Sequence, residues 1–329
     1  MKTFYAPLSE LAGIEQLKKD FEVTGQPVMI SGCIDTQKIH LVHAAVNDYR
    51  FRLIITGDEA KAREMQEDSR FFDKSSIYYP AKDFIFYSAD VHGNQLAGER
   101  LRCIQKIIAA QDNKTNITVI TTIDGCVDML MPLQRYRDNI IHFKNSDIID
   151  TEKLISKLVG IGYTRVPMID GQGQFAVRGG ILDVYPLTEE LPVRIELWGD
   201  EVDSIRTFDP ETQRSIEKLD EVEVFPATEF PEEEEKRVSF LDYFEKENTI
   251  LFLDEPVRLK EKGEGVEEEF LEAQKRRVQS GYEVADSEAV LFTTQEIMRK
   301  MNEYSSVGFQ ALDMRCPGLN IRASYSLQT

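Results

Sequence analysis

The 329-residue sequence lacks long hydrophobic runs and has few cysteines and a shortage of positive charge. No apolar stretch approaches the ~20 residues that a membrane-spanning helix needs. The first residues also lack the continuous apolar segment of a secretory signal. We therefore expect a cytoplasmic protein that makes no contact with a membrane.

Only four cysteines occur, at positions 33, 103, 126 and 316, and no two of them form a C-x-x-C pair. This spacing disfavours a zinc site and a disulfide framework, and we expect buried thiols in a reducing compartment. His40 and His43 lie three positions apart on a predicted helix, but no acidic or thiol ligand is near them in sequence. We therefore predict no metal site.

The chain has 39 lysines and arginines against 58 acidic residues, which gives a net charge of -19. Such a surface repels the DNA backbone over a Debye length of about 10 Å unless a basic patch is segregated from the rest. The sequence contains no basic run, and its acidic clusters at 232–235 and 264–272 are typical of solvated helix ends. We expect weak or absent DNA binding by this chain.

The order of apolar segments predicts an α/β protein. Between residues 27 and 161, short buried strands alternate with helices at 59–69, 95–111 and 151–160, which indicates a parallel sheet covered on both faces. From 162 to 228 the segments have the period of two of antiparallel strands, with no helix between them. The α/β pattern returns at the strand 249–254 and the helix 264–280, and further strands are predicted at 289–292 and 307–312.

We therefore predict one α/β domain interrupted by a small β-rich (α+β) domain. The predicted boundaries are 1–161 for a degenerate nucleotide-binding-like domain, 162–228 for the β-rich domain and 229–329 for the α/β continuation.

A degenerate phosphate loop follows the first strand. A working loop has the form G-x-x-x-x-G-K-[ST], with a second glycine for the turn, a lysine for the phosphates and a hydroxyl for Mg²⁺. Here the frame is Gly32, Gln37, Lys38 and Ile39, and Asp35 adds negative charge. Gln37 replaces the second glycine of the loop and disfavours the positive φ expected there, and Ile39 has no oxygen that could bind Mg²⁺. We predict that ATP and Mg²⁺ do not bind at this loop.

A second remnant of such a site is the apolar strand that ends in Asp254 and Glu255. A carboxylate pair in this position holds Mg²⁺ and polarises water in ATPases, although Pro256 follows it here and the pattern alone is weak. Together with the broken loop, it predicts a degenerate acidic box.

Two stretches resemble a known family. Residues 173–186, GQFAVRGGILDVYP, and 193–212, VRIELWGDEVDSIRTFDPET, resemble the second domain of the excision-repair protein UvrB. They are still more similar to the matching domain near the N-terminus of the bacterial transcription-repair coupling factors (Mfd). The segments 241–244 and 251–255 resemble the UvrB region with the acidic box, and the range 99–126 resembles its first domain more loosely.

Two departures from UvrB favour the coupling-factor family. The phosphate loop is broken, and the connection from Pro80 to the helix near Gln95 is too short for the long hairpin with which UvrB clamps DNA. The resemblance implies an N-terminal, non-catalytic module that recruits UvrA. It also implies a longer protein that contacts RNA polymerase and moves along double-stranded DNA with an ATP- and Mg²⁺-dependent motor outside this chain.

The resemblance further implies a UvrA-binding site at Arg165, Arg178 and Leu182. Counting alternate residues from Arg178 predicts that it shares a strand face with Leu182, and the glycines after it leave that face open. Arg178 pairing with Glu196 across strands is an alternative. Two other functions stay open at this point: a UvrB-like damage-verifying ATPase, and an acidic α/β nucleotide-binding protein unrelated to repair.

Overall fold

The computed structural model describes residues 14–21, 27–44, 49–82, 94–229, 237–280, 291–311, 321 and 323–326. Its contacts divide the chain into two units. Unit 1 comprises Met1–Ser88, Ala109–Leu130 and Arg237–Thr329, and unit 2 comprises Ala89–Ile108 and Met131–Lys236.

Nine helices lie in the described residues: α1 (Ile14–Phe21), α2 (Asp35–Ala44), α3 (Glu59–Ser69), α4 (Asn94–Asp112), α5 (Ile123–Val127), α6 (Leu133–Asn139), α7 (Thr151–Gly160), α8 (Pro256–Gln279) and α9 (Thr294–Met301). Short 3-10 helices span Phe240–Tyr243 and Lys246–Asn248.

The strands of unit 1 are β1 (Val28–Ser31), β2 (Phe51–Thr56), β3 (Ile77–Tyr79), β4 (Ile117–Thr122), β13 (Thr249–Asp254), β14 (Ser305–Gln310) and β15 (Ala323–Ser326). The strands of unit 2 are β5 (Ile141–Lys144), β6 (Thr164–Arg165), β7 (Gln174–Arg178), β8 (Ile181–Tyr185), β9 (Val193–Trp198), β10 (Glu201–Phe208), β11 (Ser215–Leu219) and β12 (Glu221–Val224).

Unit 1 is built on a seven-stranded parallel sheet in the order β15-β1-β14-β13-β2-β4-β3. Strands β1, β2, β4, β13 and β14 are buried along their whole length, as expected for parallel strands covered on both faces. Because all strands run the same way, Ser31, Thr56 and Asp254, at the carboxyl ends of β1, β2 and β13, lie along one edge of the sheet. This edge is where the predicted nucleotide site belongs.

Unit 2 is built on a six-stranded sheet in the order β11-β10-β9-β8-β7-β6, and β5 pairs separately with β12. All neighbours in the larger sheet are antiparallel except β6 and β7. One face of it carries apolar side chains that stand side by side in the register, namely the half-buried Val177 and the buried Leu182, Ile195 and Ile205. The other, which we call the charged face, carries Arg178, Asp183, Arg194, Glu196 and Arg206.

The structure confirms the predicted fold class, an α/β fold with a separate β-rich sheet. Helices α3 and α7 have the predicted bounds. Helix α8 starts at Pro256 instead of 264, since proline is favoured in a first helical turn. Of the strand predicted at 289–292, only 291–292 are described, and Leu291 forms an isolated bridge with Asp128. The connection 83–93 lies outside the described residues.

Unit 2 is larger than the predicted β-rich segment 162–228, because it also takes in residues 89–108 and 131–161. The pairing of β5 with β12 ties residues 141–144 to this unit. Helix α4 is held to it by Arg100, whose Nε lies 2.6 Å from Oε1 of Glu229. The predicted boundary at 161/162 therefore differs from the edge of this unit, and the three-part division stays a prediction.

No helix in the described part of the chain is long and apolar enough to cross a membrane.

Candidate functional site

The phosphate loop predicted after β1 is replaced by an early helix start. Helix α2 begins at Asp35, so Gln37 lies in its first turn and not in a loop. The backbone N–H of Ile34 donates to Oε1 of Gln37 at 3.1 Å, and the N–H groups of Gln37 and Lys38 donate to the carbonyl of Ile34. The expected conflict between Gln37 and a positive φ is therefore wrong: this side chain caps the helix instead.

The lysine of the degenerate loop is paired with the aspartate of the degenerate acidic box. Nζ of Lys38 lies 2.7 Å from Oδ1 of Asp254 at the end of β13, and both side chains are less than 10% exposed. Asp35 lies 3.3 Å from the same Nζ. Burial alone lowers the pKa of Lys38, but the hydrogen bonds and charges of Asp254 and Asp35 outweigh it and hold that pKa above its ordinary value.

The remaining polar groups at this edge of the sheet are also engaged within the protein. Oγ1 of Thr56 donates to Oδ2 of Asp254 at 3.2 Å. Oε1 of Glu255 accepts from the backbone N–H of Ala311 at 2.7 Å. Asp35 forms an ion pair with Lys61, whose hydrogen bond lowers the pKa of the Asp35 carboxyl.

These residues do not fit a magnesium–nucleotide complex. The lysine that would contact phosphates is neutralised by Asp254, and Ile39, where a hydroxyl ligand belongs, is buried. The backbone N–H of Gly32, which would face a phosphate, donates to the carbonyl of Gln310 at 3.1 Å. Within the described ranges, no three His, Cys, Asp or Glu side chains are grouped as metal ligands.

The two histidines of α2 are packed against an aromatic ring. The rings of His40 and His43 stack on Phe72, at centroid distances of 5.6 and 5.1 Å. His43 is 4% exposed, and burial, together with the charge of Arg52, lowers its pKa to about 4. The predicted buried thiols are confirmed for Cys33, Cys103 and Cys126, while Cys316 lies outside the described residues.

On the charged face of unit 2, a buried carboxylate holds two arginines. Asp183 is fully buried and accepts from Nη2 of Arg178 at 2.7 Å and from Nε of Arg194 at 2.6 Å. The guanidinium of Arg194 also lies over the ring of Phe208, 4.2 Å from its centroid. Arg178 is thereby fixed at the end of β7 while 43% of its side chain remains exposed.

The structure separates the three residues of the predicted binding site. Arg165 is exposed on the edge strand β6, beside Phe175 in the register, and Arg178 is exposed at the end of β7. Leu182 is only 2% exposed and lies opposite Val177, on the buried face. Its predicted place beside Arg178 is wrong, because the count of alternate residues ran through the turn at 179–180. The predicted contact role of these residues stays a prediction.

The alternative partner of Arg178 is also corrected. Glu196 pairs with Arg206 and accepts from Oγ of Ser204 at 2.9 Å, while Arg178 pairs with Asp183. Sequence reasoning missed Asp183, although an acid flanked by apolar residues on a predicted buried strand is a recognisable sign of a buried ion pair.

The chain is similar in sequence to known proteins. Residues 141–230 match the family model of the UvrB interaction domain. The transcription-repair-coupling factor of Staphylococcus haemolyticus (strain JCSC1435) is 33% identical over 208 residues, 62% of this chain and 17% of that protein. That of Bacillus subtilis (strain 168) is 34% identical over 194 residues, 57% of this chain and 16% of that protein.

The chain thus spans about a sixth of the length of the curated relatives it matches. The matched range 141–230 covers both sheets of unit 2, from β5 to β12, and includes Arg165, Arg178 and Asp183. The chain therefore carries a UvrB interaction domain and is related to the transcription-repair-coupling factors.

Proposed function

We propose that this chain is a non-catalytic docking module that recruits UvrA in transcription-coupled nucleotide excision repair in the cytoplasm. The observation that carries the proposal is the match of residues 141–230 to the UvrB interaction domain. We also propose that the module works within a coupling factor that displaces stalled RNA polymerase and moves on double-stranded DNA, using ATP and Mg²⁺ in a motor outside this chain.

The geometry of Arg178 supports a docking role. Asp183 orients the guanidinium through one N–H of Nη2, and the exposed remainder can donate to a partner's carboxylate. An arginine held in this way loses little conformational entropy on binding, and its planar fork suits bidentate recognition of a carboxylate. Arg165, exposed on the neighbouring edge strand, adds positive charge to a chain of net charge -19.

The ion pair of Lys38 and Asp254 supports the non-catalytic part of the proposal. Binding of ATP here would require breaking a buried pair whose atoms are 2.7 Å apart, and Mg²⁺ would find no hydroxyl at Ile39. The alternative function, a UvrB-like damage-verifying ATPase, needs Lys38 free to contact phosphates and Asp254 free to hold Mg²⁺. Calorimetric titration with ATP and Mg²⁺ tests the alternative, and micromolar affinity would support it.

Charge reversal tests the docking role. We expect the wild-type chain to co-elute with purified UvrA and the Arg165→Glu/Arg178→Glu variant to elute alone, because reversing charges in an interface costs about 2 to 5 kcal/mol. The matched control is Arg276→Glu, at an arginine of unit 1 that is 79% exposed and forms an ion pair with Glu272, four positions before it on α8. Co-elution of the double variant would refute the assigned contact.

The fold of the double variant needs its own control. Arg178→Glu removes one of the two arginine partners of the buried Asp183, while Arg194 still donates to it at 2.6 Å, so we expect a lower melting temperature and circular dichroism must show that the variant is folded. A single Arg165→Glu variant keeps the Arg178–Asp183 pair and separates loss of binding from any disturbance of that buried carboxylate.

A further inference from the structure

The largest exposed aromatic side chain of unit 2 lies at one end of the charged face. Trp198, the single tryptophan of the chain, is 82% exposed at the end of β9. It precedes the two-residue turn Gly199–Asp200, and its register partner across that turn is Glu201. With 82% of its side chain in water, Trp198 buries little apolar area within the unit.

A second exposed apolar residue lies in the same row. Ile148 is 74% exposed and forms an isolated antiparallel bridge with Glu201, so the order across the strands is Ile148, Glu201, Trp198. The segment is fixed there by three backbone hydrogen bonds, from Ile149 N to Asp200 O at 2.7 Å, from Ser146 N to Val202 O at 2.8 Å and from Val202 N to Asp147 O at 2.9 Å. The two exposed apolar side chains therefore lie on an ordered backbone, on either side of Glu201 in one row.

Arg178 belongs to the same end of the same face. Its register partner is Ile181, which lies beside Glu196, and Trp198 is two positions beyond Glu196 on β9. The backbone N–H of Leu197 donates to the carbonyl of Gly180 at 2.7 Å, which joins the two hairpin ends. Since residues two apart on a strand share a face, Trp198 and Arg178 point to the same side of the sheet.

We propose that Trp198 and Ile148 are the apolar centre of the surface that binds UvrA, with Arg178 as its charged neighbour; this rests on the proposed function. We call Ile148, Arg178 and Trp198 the tip surface. Its chemistry fits a partner patch with an apolar centre and a carboxylate opposite Arg178. Tryptophan and arginine are the residue types most enriched where binding energy is concentrated.

The choice of occupant follows from continuity and charge. The tip surface includes Arg178, the residue on which the UvrA contact is proposed, and it lies inside the matched range 141–230. A second copy of this chain is a poor occupant, because each copy carries a net charge of -19 and the row itself contains Glu201 between its apolar members.

The single tryptophan provides the test. The full chain labelled with 5-fluorotryptophan has one fluorine resonance, from Trp198. On titration with purified UvrA we expect this resonance to shift and broaden to saturation. We expect Trp198→Ala to weaken the Kd about 30-fold or more and Trp198→Phe to recover part of the loss. The matched control is Phe71→Ala, at an 85% exposed aromatic residue of unit 1, which leaves the Kd within about twofold.

The outcomes separate this inference from the proposed function. If Arg178→Glu abolishes UvrA binding while Trp198→Ala keeps the wild-type Kd and the resonance does not move, the tip surface is wrong and the docking role stands. If the wild-type chain does not bind UvrA, the proposed function fails and the inference with it. A resonance that shifts with the concentration of the chain alone assigns the surface to a second copy and overturns the proposal.

Discussion

The buried pair of Lys38 and Asp254 gives a quantitative prediction about the degenerate nucleotide site. In Asp254→Asn the lysine loses its 2.7 Å partner while its side chain remains 7% exposed. Removing one member of a buried pair costs about 3 to 5 kcal/mol because the other charge is left without compensation. Asp35, 3.3 Å away and 47% exposed, offsets part of this cost. We therefore expect Asp254→Asn to lower the free energy of unfolding of unit 1 by about 2 to 4 kcal/mol.

The pairing predicts that a second substitution restores most of this stability. In Lys38→Met/Asp254→Asn neither buried charge remains, and the asparagine still accepts from Oγ1 of Thr56. Replacing a whole buried pair by neutral groups is often close to neutral. The control is Glu272→Gln, whose partner Arg276 is 79% exposed, and we expect it to change stability by less than about 0.5 kcal/mol.

Hydrogen exchange measures the effect within one unit. We expect the peptide Thr249–Asp254 to exchange about 30- to 1000-fold faster in Asp254→Asn, since each 1.4 kcal/mol is a factor of about ten. The peptide Val193–Trp198 of unit 2 serves as the internal reference. The reasoning is refuted if the double variant exchanges as fast as the single one. It is also refuted if ATP and Mg²⁺ slow exchange in the wild type, because a bound ligand stabilises the native state.

Three other perturbations have defined outcomes. Burial lowers the pKa of His43 from an ordinary 6.5 to about 4, so the folded protein holds this side chain neutral. The free energy of unfolding of unit 1 therefore falls by up to about 3 kcal/mol as the pH falls from 6.5 to 4. We expect His43→Phe to reduce this dependence on pH, as measured by urea unfolding at several pH values. Arg100→Met removes the guanidinium that lies 2.6 Å from Glu229, and we expect it to lower the free energy of unfolding of unit 2 by about 2 to 4 kcal/mol. Hydrogen exchange of α4 then becomes faster. Gly180→Ala places a Cβ 2.6 Å from the carbonyl oxygen of Leu197, and we expect it to lower the free energy of unfolding by about 1 to 3 kcal/mol in melting experiments. The control is Gly171→Ala in the same unit, whose Cβ meets only Nε2 of Gln174, at 3.8 Å, and equal losses would contradict the close approach.

The sequence predicts the sheets of both units because the pattern of apolar residues within each short segment indicates which faces of a strand are buried. Runs such as Leu53–Ile55 are apolar on both faces, and the period of two between 193 and 208 marks antiparallel strands before any fold is known. The helices at 59–69 and 151–160 have local boundary signals as well, since Asp58 and Asp150 accept from the backbone N–H groups of Lys61 and Lys153.

The sequence does not predict which side chains meet across long separations. Lys38 and Asp254 are each recognisable as remnants, but their ion pair spans 216 positions and depends on the order of strands in the sheet. Leu182 was misplaced because a two-residue turn resets the alternation that puts side chains on one face. The row of Ile148, Glu201 and Trp198 likewise exists only once a loop outside the main strands pairs with β10.

The most direct test of the docking role is a hydrogen-exchange footprint of the full chain with and without purified UvrA. We expect UvrA to protect peptides of unit 2 that contain Arg165, Arg178 and Trp198, and to leave the peptides Val28–Ser31, Asp35–Ala44 and Thr249–Asp254 of unit 1 unchanged. Protection confined to the unit 1 peptides, with unit 2 unaffected, would contradict the assignment of the UvrB interaction domain as the docking surface.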